Sequence, residues 1–419
     1  MRSPTSALIV HDDAIRENTL RFHSLTRGRL MAVLKADAFG HGDIARAVLE
    51  SGAGSIGVTC IDEALALRAT GIGAPILSWL NTPGADFETA LRESIDLAVP
   101  NLELLHAVAQ AARRTGKTAR VHLHVDVGIN RDGCPVHDWA ALCTLAREHE
   151  AAGTIRVVGV MGHMSCADDP GNPQNARERL VFENAVRTAR RRALNPQLTH
   201  LAATAATLTN AGGSLGIHRI GAGLFGIDPS GTTSFLRPAL TLTTAVVSSH
   251  EVPTHAGIGY GHDFITTART HMALLPLGYG DGLPRSASGQ AEVLVRGRRR
   301  PLVGRFSMDM VVVDTGDDLL HPGETVTIFG PGREGEPTVA EWAQWSNTIE
   351  HEILTRVGSW NSRIQRTHDT TRQEPHQQQG DTSCPSPRTA ESPLSVAERT
   401  TNITSPLHPL PPSHEPSAN

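Results

Sequence analysis

The chain has 419 residues, 39% hydrophobic and 19% charged, with a formal net charge of −5. That length suits two or three domains with a sizeable core, and the absence of a basic stripe or polybasic run argues against nucleic-acid binding. No apolar stretch approaches the roughly 18 residues of a membrane span, and MRSPTSALIVHDDA lacks a signal-peptide core, so a soluble, cytoplasmic protein is expected. Cys60, Cys134, Cys143, Cys166 and Cys384 form no CxxC pair, which suits a reducing compartment and argues against structural zinc.

Met31 to Leu34 reads as a buried strand that ends at Lys35, and Gly40 and Gly42 bracket the start of the next helix in AVLKADAFGHG (32–42). From there short apolar runs alternate with amphipathic stretches. Strands are predicted at 30–35, 55–60, 75–79, 96–99, 120–126, 156–163, 198–203 and 217–220. Helical patterns fill the gaps, as in IDEALALRAT (61–70) and NLELLHAVAQAARRTG (101–116). Eight such alternations indicate an α/β chain built as a (β/α)8 TIM-type barrel. A doubly wound open sheet is the structural rival, but no GxGxxG turn follows the first strand. From about residue 235 the texture becomes β-rich, as in MALLPLGYG and DMVVVDTG, and predicts a C-terminal all-β domain closed by helical pieces over 338–365. The expected division is a barrel over 1–235, a β domain over 236–366 and a disordered tail over 367–419, where Pro, Ser, Thr and Gln replace aliphatic periodicity.

Active sites of such barrels form where strands end and the βα loops begin. On that rule Lys35, the DVGINR segment with Asp126 and Arg131, His163, Thr204, and Arg219 with Gly221 converge at five carboxyl ends. A lysine ending a dry strand has a depressed pKa, because desolvation disfavours its charged form, and a partly neutral amine condenses with aldehydes. The chain has two tyrosines, Tyr260 in GIGYGHDF and Tyr279 in GYGDGLPR, both flanked by glycines that set backbone geometry rather than pack a core. A phenol of pKa ~10 becomes a base near neutrality only with a cation or hydrogen-bond network beside it. His122 and His124 share one face of a strand, but with no carboxylate-paired set around them a metal site is disfavoured.

The string around Lys35 resembles the cofactor-lysine motif of bacterial alanine racemases, and the similarity runs in order from residue 5 to about 365. The resemblance implies pyridoxal phosphate as cofactor, carried by Lys35, which also serves as one acid/base. Tyr260 matches the family's second acid/base, on the opposite face of the substrate. His163 and Arg219 match residues linking that tyrosine to the cofactor ring, Arg219 facing the pyridine nitrogen. An arginine does not surrender its proton, so a ring nitrogen facing it stays unprotonated and the ring remains a weaker electron sink, which favours reprotonation at Cα. Arg131 resembles the arginine that contacts the tyrosine and the substrate carboxylate. Tyr279, Met308 and Asp309 resemble the substrate entrance. Thr204, Gly221 and Ala222 match the phosphate cradle. In the family the two tyrosines and Met308-Asp309 come from the partner subunit, so a homodimer with shared sites is implied.

Four positions depart from the family. Phe39 and His351 stand where tyrosines reach the phosphate, Ala203 replaces an asparagine, and His124 replaces a lysine, sometimes carbamylated, that positions the arginine matching Arg131. Each lost neutral hydrogen bond is worth ~0.5–1.5 kcal/mol, so lower cofactor affinity is expected. The predicted activity is racemisation of alanine. Rivals are a racemase for another small amino acid such as serine, a non-catalytic pyridoxal-phosphate-binding protein and a decarboxylase. The last two are disfavoured by the β domain and by Arg219.

Overall fold

The computed structural model describes residues 5–213, 216–358 and 363–369. Its strands in chain order are β1 (Ser6–His11), β2 (Leu30–Val33), β3 (Ser55–Val58), β4 (Ile76–Ser78), β5 (Ile95–Val99), β6 (Ala119–His124), β7 (Ile155–Met161), β8 (Leu198–His200) and β9 (His218–Ile220). There follow β10 (Leu240–Ala245), β11 (Ser248–Val252), β12 (Gly257–Ile258), β13 (Phe264–Ile265), β14 (Thr270–Leu275), β15 (Glu292–Val295), β16 (Arg298–Val303), β17 (Val311–Gly316), β18 (Thr325–Phe329) and β19 (Ile364–Asp369).

Strands β2 to β9 are parallel, in the order β8-β7-β6-β5-β4-β3-β2-β9. The ring is completed by hydrogen bonds from Ile217 N to Thr199 O (2.8 Å) and from Arg219 N to Ala202 O (2.9 Å). Strands such as β2 and β5 are buried at every position, since helices cover the outside and side chains fill the inside. The helices follow local signals. Asn101 Oδ1 accepts from Leu104 N at 2.8 Å to cap Leu102–Thr115, and Gly116 (φ +66°) ends it. The barrel interior is part apolar, with Met31, Leu77, Ala98 and Met161 in contact, and part polar, with His122, His200 and Arg219 all buried.

The second sheet has nine strands in the order β11-β14-β17-β16-β15-β18-β10-β1-β19. Its strands β1, β10 and β17 alternate buried and half-buried residues, the pattern of a sheet packed on one face. Two differences from the expected division emerge. Strand β1 lies in this sheet, antiparallel to β10 (Ser6 opposite Thr244), although the sequence division assigns it to the barrel half. Residues 367–369, expected in the disordered tail, complete β19, which runs parallel to β1 with His11 opposite Asp369. Both pairings are non-local, so no sequence periodicity reports them. The rest of the expected tail lies outside the described residues. No described helix is long and apolar enough to cross a membrane.

Candidate active site

A cavity of about 820 Å³ opens at the carboxyl ends of the barrel strands, and Lys35, Arg131, His163, Thr204, Arg219, Gly221, Ala222 and His351 all line it. The departing positions Phe39, His124 and Ala203 line it as well.

Lys35 follows β2 by two residues and starts a turn of unusual hand. Residues Ala36, Asp37, Ala38 and Phe39 have φ of 53°, 52°, 52° and 55°, a left-handed helical run with no glycine in it. Left-handed helix costs ~1–2 kcal/mol per L-residue, so the run stores on the order of 4–8 kcal/mol. Neighbours hold it in place. Glu63 accepts from Ala36 N (2.8 Å) and Thr59 N (2.7 Å), and His41 Nδ1 donates to Ala38 O (2.9 Å) and Phe39 O (3.1 Å). Gly40 (φ +82°) lies so close to Gly358 that a Cβ on it would meet the Gly358 Cα at 2.8 Å.

The Lys35 side chain is accessible from the cavity yet surrounded on most sides by protein. Burial lowers its pKa, Arg131 and Arg219 lower it further, and Glu63 opposes them. The amine that faces the cavity therefore gives up its proton more readily than a free lysine does, the direction expected at the end of a dry strand.

Arg219 is buried, at 5% exposure, and no carboxylate touches it among the described residues. Its Nη1 donates to His200 O (2.8 Å) and lies 3.2 Å from His200 Nδ1. Its Nη2 donates to Gly162 O (2.7 Å) and lies 3.2 Å from His163 Nδ1. Its Nε makes no hydrogen bond among the described residues, which leaves a donor for a cavity ligand. Burial lowers the guanidinium pKa to about 10, still charged at neutrality. His163 is neutral, pushed down to about 3 by burial and then by Arg219, Arg131 and Lys35. A guanidinium only donates, so His163 Nδ1 is the acceptor and its proton sits on Nε2.

Thr204 is buried at the start of the helix Thr204–Leu208, and its Oγ1 accepts from Gly223 N at 3.3 Å. Phe39 packs into the space a side chain at Gly221 would need, since a Cβ there would meet the Phe39 Cζ at 3.0 Å. His351 Nδ1 is buried without a partner, and burial followed by Lys35 lowers the ring's pKa. His124 Nε2 is likewise unpartnered, and its Nδ1 lies 3.4 Å from Asp132 Oδ2.

Tyr260, Tyr279, Met308 and Asp309 lie elsewhere. They sit exposed on the second sheet's loops, Tyr260 at 71%, and none lines this chain's cavity. Gly280 N donates to Met308 O at 2.7 Å, which joins the Tyr279 and Met308 loops. The sequence reading passed over Glu63, Asp96 and His200. Asp96 carried a signal, a lone carboxylate in the dry run IDLAV.

Models of the alanine racemase N-terminal and C-terminal domains match residues 10–229 and 239–368. An alanine racemase of Salinispora arenicola is 43% identical over 363 residues, 86% of this chain and 97% of that protein. Among solved structures, alanine racemase from D-cycloserine-producing Streptomyces lavendulae superposes with a TM-score of 0.85 at 38% identity, covering 88% of this chain and 98% of that one. The Bacillus anthracis enzyme, solved with bound L-Ala-P, gives 0.80 at 29% identity, with 88% and 96% covered. With a barrel, a second sheet and a lysine–arginine cavity in the same order, the chain belongs to the alanine racemase family, whose members are pyridoxal-phosphate-dependent isomerases.

Proposed function

We propose that the chain interconverts L- and D-alanine with pyridoxal phosphate held in the barrel cavity. One observation carries this reading: Lys35, its pKa lowered by burial, Arg131 and Arg219, shares the cavity with a buried, carboxylate-free Arg219. The donor set suits the cofactor. Lys35 would hold its aldehyde carbon, Thr204, Gly221, Ala222 and His351 its phosphate, and Arg219 its ring nitrogen. Bound there, the cofactor supplies an electron sink that acidifies the substrate Cα–H.

The protein's own groups do the rest. The Lys35 amine moves the Cα proton on one face, helped by the burial and the neighbouring Arg131 and Arg219 that lower its pKa. Tyr260 of the partner subunit serves the opposite face, and the exposure of Tyr260, Tyr279, Met308 and Asp309 supports their contribution to a second chain's cavity in a homodimer. Arg131 binds the substrate carboxylate, with Tyr279, Met308 and Asp309 at the entrance. Arg219 would face the ring nitrogen with protons it does not surrender, which would leave the ring a weaker sink and favour return of the proton to Cα. His163 links Arg219 towards the tyrosine. The same reading places the protein in the cytoplasm, where its free cysteines stay reduced.

The chain has two lysines, Lys35 and Lys117. Borohydride reduction of the purified holoenzyme should therefore fix the cofactor on the Lys35 peptide, and label on Lys117 would overturn the site. Chiral chromatography over a panel of L- and D-amino acids should show alanine turned over fastest; faster turnover of serine would overturn the substrate.

A further inference from the structure

We infer that Asp96, His122 and His200 form a positioning relay inside the barrel that holds Arg219 as an oriented donor toward the cavity. This rests on the reading of Arg219 given above.

The relay is continuous. Asp96 on β5 receives Arg120 Nε at 2.7 Å and Nη2 at 3.1 Å, at the mouth of the barrel opposite the cavity. His122 Nε2 on β6 lies 3.3 Å from Asp96 Oδ2, and His122 Nδ1 lies 2.8 Å from His200 Nε2 on β8. His200 Nδ1 then meets Arg219 Nη1. Asp96, His122, His200 and Arg219 are 5%, 1%, 0% and 5% exposed. Among the described residues Asp96 is the carboxylate to which Arg219 is joined, through two rings.

The polarity of this line is fixed from both ends. Arg219 can only donate, so His200 Nδ1 is a lone pair and its proton is on Nε2. That proton points at His122 Nδ1, which must accept, so the His122 proton is on Nε2 and points at Asp96. A carboxylate can only accept, and the two ends agree. Burial alone would raise the Asp96 pKa, but hydrogen bonds from His122 and Arg120 hold it below the usual range. Burial, with His122 and Arg219 beside it, keeps His200 neutral. A buried line whose every member is satisfied is rigid, and its bonds polarise one another.

The backbone makes room for it. The β6–β7 pairing shifts register between Val121 and His122, and β7 carries Gly159 at that place. A Cβ on Gly159 would lie 2.2 Å from His122 Nδ1, the atom that meets His200.

Asp96→Asn should reverse the line. Arg120 bonds both Asp96 oxygens, and Oδ2 is the one His122 shares. With the amide oxygen kept on the closer Arg120 Nε bond (2.7 Å), the NH2 takes the Oδ2 place, the half-exposed Arg120 turns its Nη2 away, and His122 Nε2 must accept. His122 Nδ1 then donates, His200 Nε2 accepts, and the His200 proton moves to Nδ1 against an Arg219 N–H. Two donors then face each other, and Arg219 loses its Nη1 contact to His200 Nδ1 while its bonds to the His200 and Gly162 carbonyls remain, so the guanidinium shifts away from the His200 ring.

The test is 15N spectroscopy of histidine-labelled full-length holoenzyme, with the two rings assigned by their loss in His122→Asn and His200→Asn. In the wild-type protein at neutral pH both rings should be neutral with the proton on Nε2. In Asp96→Asn they should switch to Nδ1. That variant should lower kcat for racemisation roughly ten- to a hundredfold, the scale of one hydrogen bond to a charged group, and leave KM within about twofold, because Arg219 does not hold the substrate carboxylate. A wild-type His200 protonated on Nδ1, or either ring as imidazolium, would overturn the relay, as would a wild-type kcat in Asp96→Asn. If that variant does not fold, the wild-type tautomers decide. Absence of racemisation by the wild-type protein would instead overturn the assigned activity and leave the tautomer result standing.

Discussion

Lowering the pH from 7.5 to 5.0 should destabilise the cofactor-stripped protein steeply, because three buried histidines are neutral in the fold. His41 is fully buried, donates through Nδ1 to two carbonyls and stacks on Phe225 at 4.2 Å, and burial brings its pKa to about 3. His163 is likewise near 3, and His200 lies well below its ordinary value. In the unfolded chain each titrates near 6.5, so below that pH the unfolded state binds more protons and gains. The stabilisation is complete above pH 6.5 and is lost as the pH falls toward about 3. At pH 5.0 His41 and His163 each cost about 2 kcal/mol, together about 4, and His200 acts in the same direction, against a total stability of ~5–15 kcal/mol. Asp96, Asp132 and Glu17 are held below the usual carboxylate range and act at lower pH, while Glu350, pushed up by burial and Asp228, opposes the trend. Urea unfolding at half-unit pH steps measures the slope, to which His351, His218, His149 and His11, lowered by burial, add in the same direction. His41→Phe should remove its own share, about 2 kcal/mol between pH 6.5 and 5.0. A stability that stays flat between pH 7 and pH 5 would refute the neutral-ring assignment.

Tyr260→Phe should lower racemisation in both directions roughly 10²–10⁴-fold, yet Lys35 should still exchange the Cα proton of D-alanine with solvent deuterium. Undiminished exchange of both enantiomers would rule out the second base. Phe39→Tyr places a hydroxyl beside Gly221, where a hydrogen bond to an anion is worth ~1.5–3 kcal/mol, so equilibrium dialysis should show cofactor held at least about tenfold more tightly. No gain would mean that the added oxygen is shut out of the cradle. Truncation after Asp369 should leave melting and racemisation nearly unchanged, whereas truncation after Arg363 removes β19 and should cost several kcal/mol, on the order of a lost buried network. Equal melting of the two truncations would show that β19 does not contribute.

The eight barrel strands were legible because parallel strands covered on both faces read as short dry runs between amphipathic stretches. Lys35, Arg131, His163, Thr204 and Arg219 were placed by the strand-end rule, and the structure puts all five around one cavity. What stayed hidden depends on partners brought together by closure of the fold. His122 and His124 do share a face, but the partners of His122 are Asp96 and His200, 26 residues before it and 78 after it. Barrel closure sets those distances, and no local spacing encodes them. Strands β1 and β19 pair across the whole length of the described chain, and IQRTHD has too few apolar residues to announce a strand.

The left-handed turn after Lys35 was hidden for a different reason, and it shows how the two sheets depend on each other. Ala36 to Phe39 contain no glycine, so nothing in their identity announces a positive φ. Their conformation is imposed by surroundings that arrive late in the chain. Arg366, on β19, lies against Gly42, donates to Gly358 O at 2.6 Å and pairs with Asp37 Oδ2 at 2.7 Å. The Gly40–Gly358 approach adds a second tie from the helix Glu350–Gly358, the same helix that presents His351 to the cavity. A strain of several kcal/mol at residues 36–39 persists only where the environment over-determines it. That environment includes the last described strand, so the position of the lysine at residue 35 depends on residues beyond 350. The barrel contributes the cavity, but the second sheet and its helix hold the geometry that aims Lys35 into it.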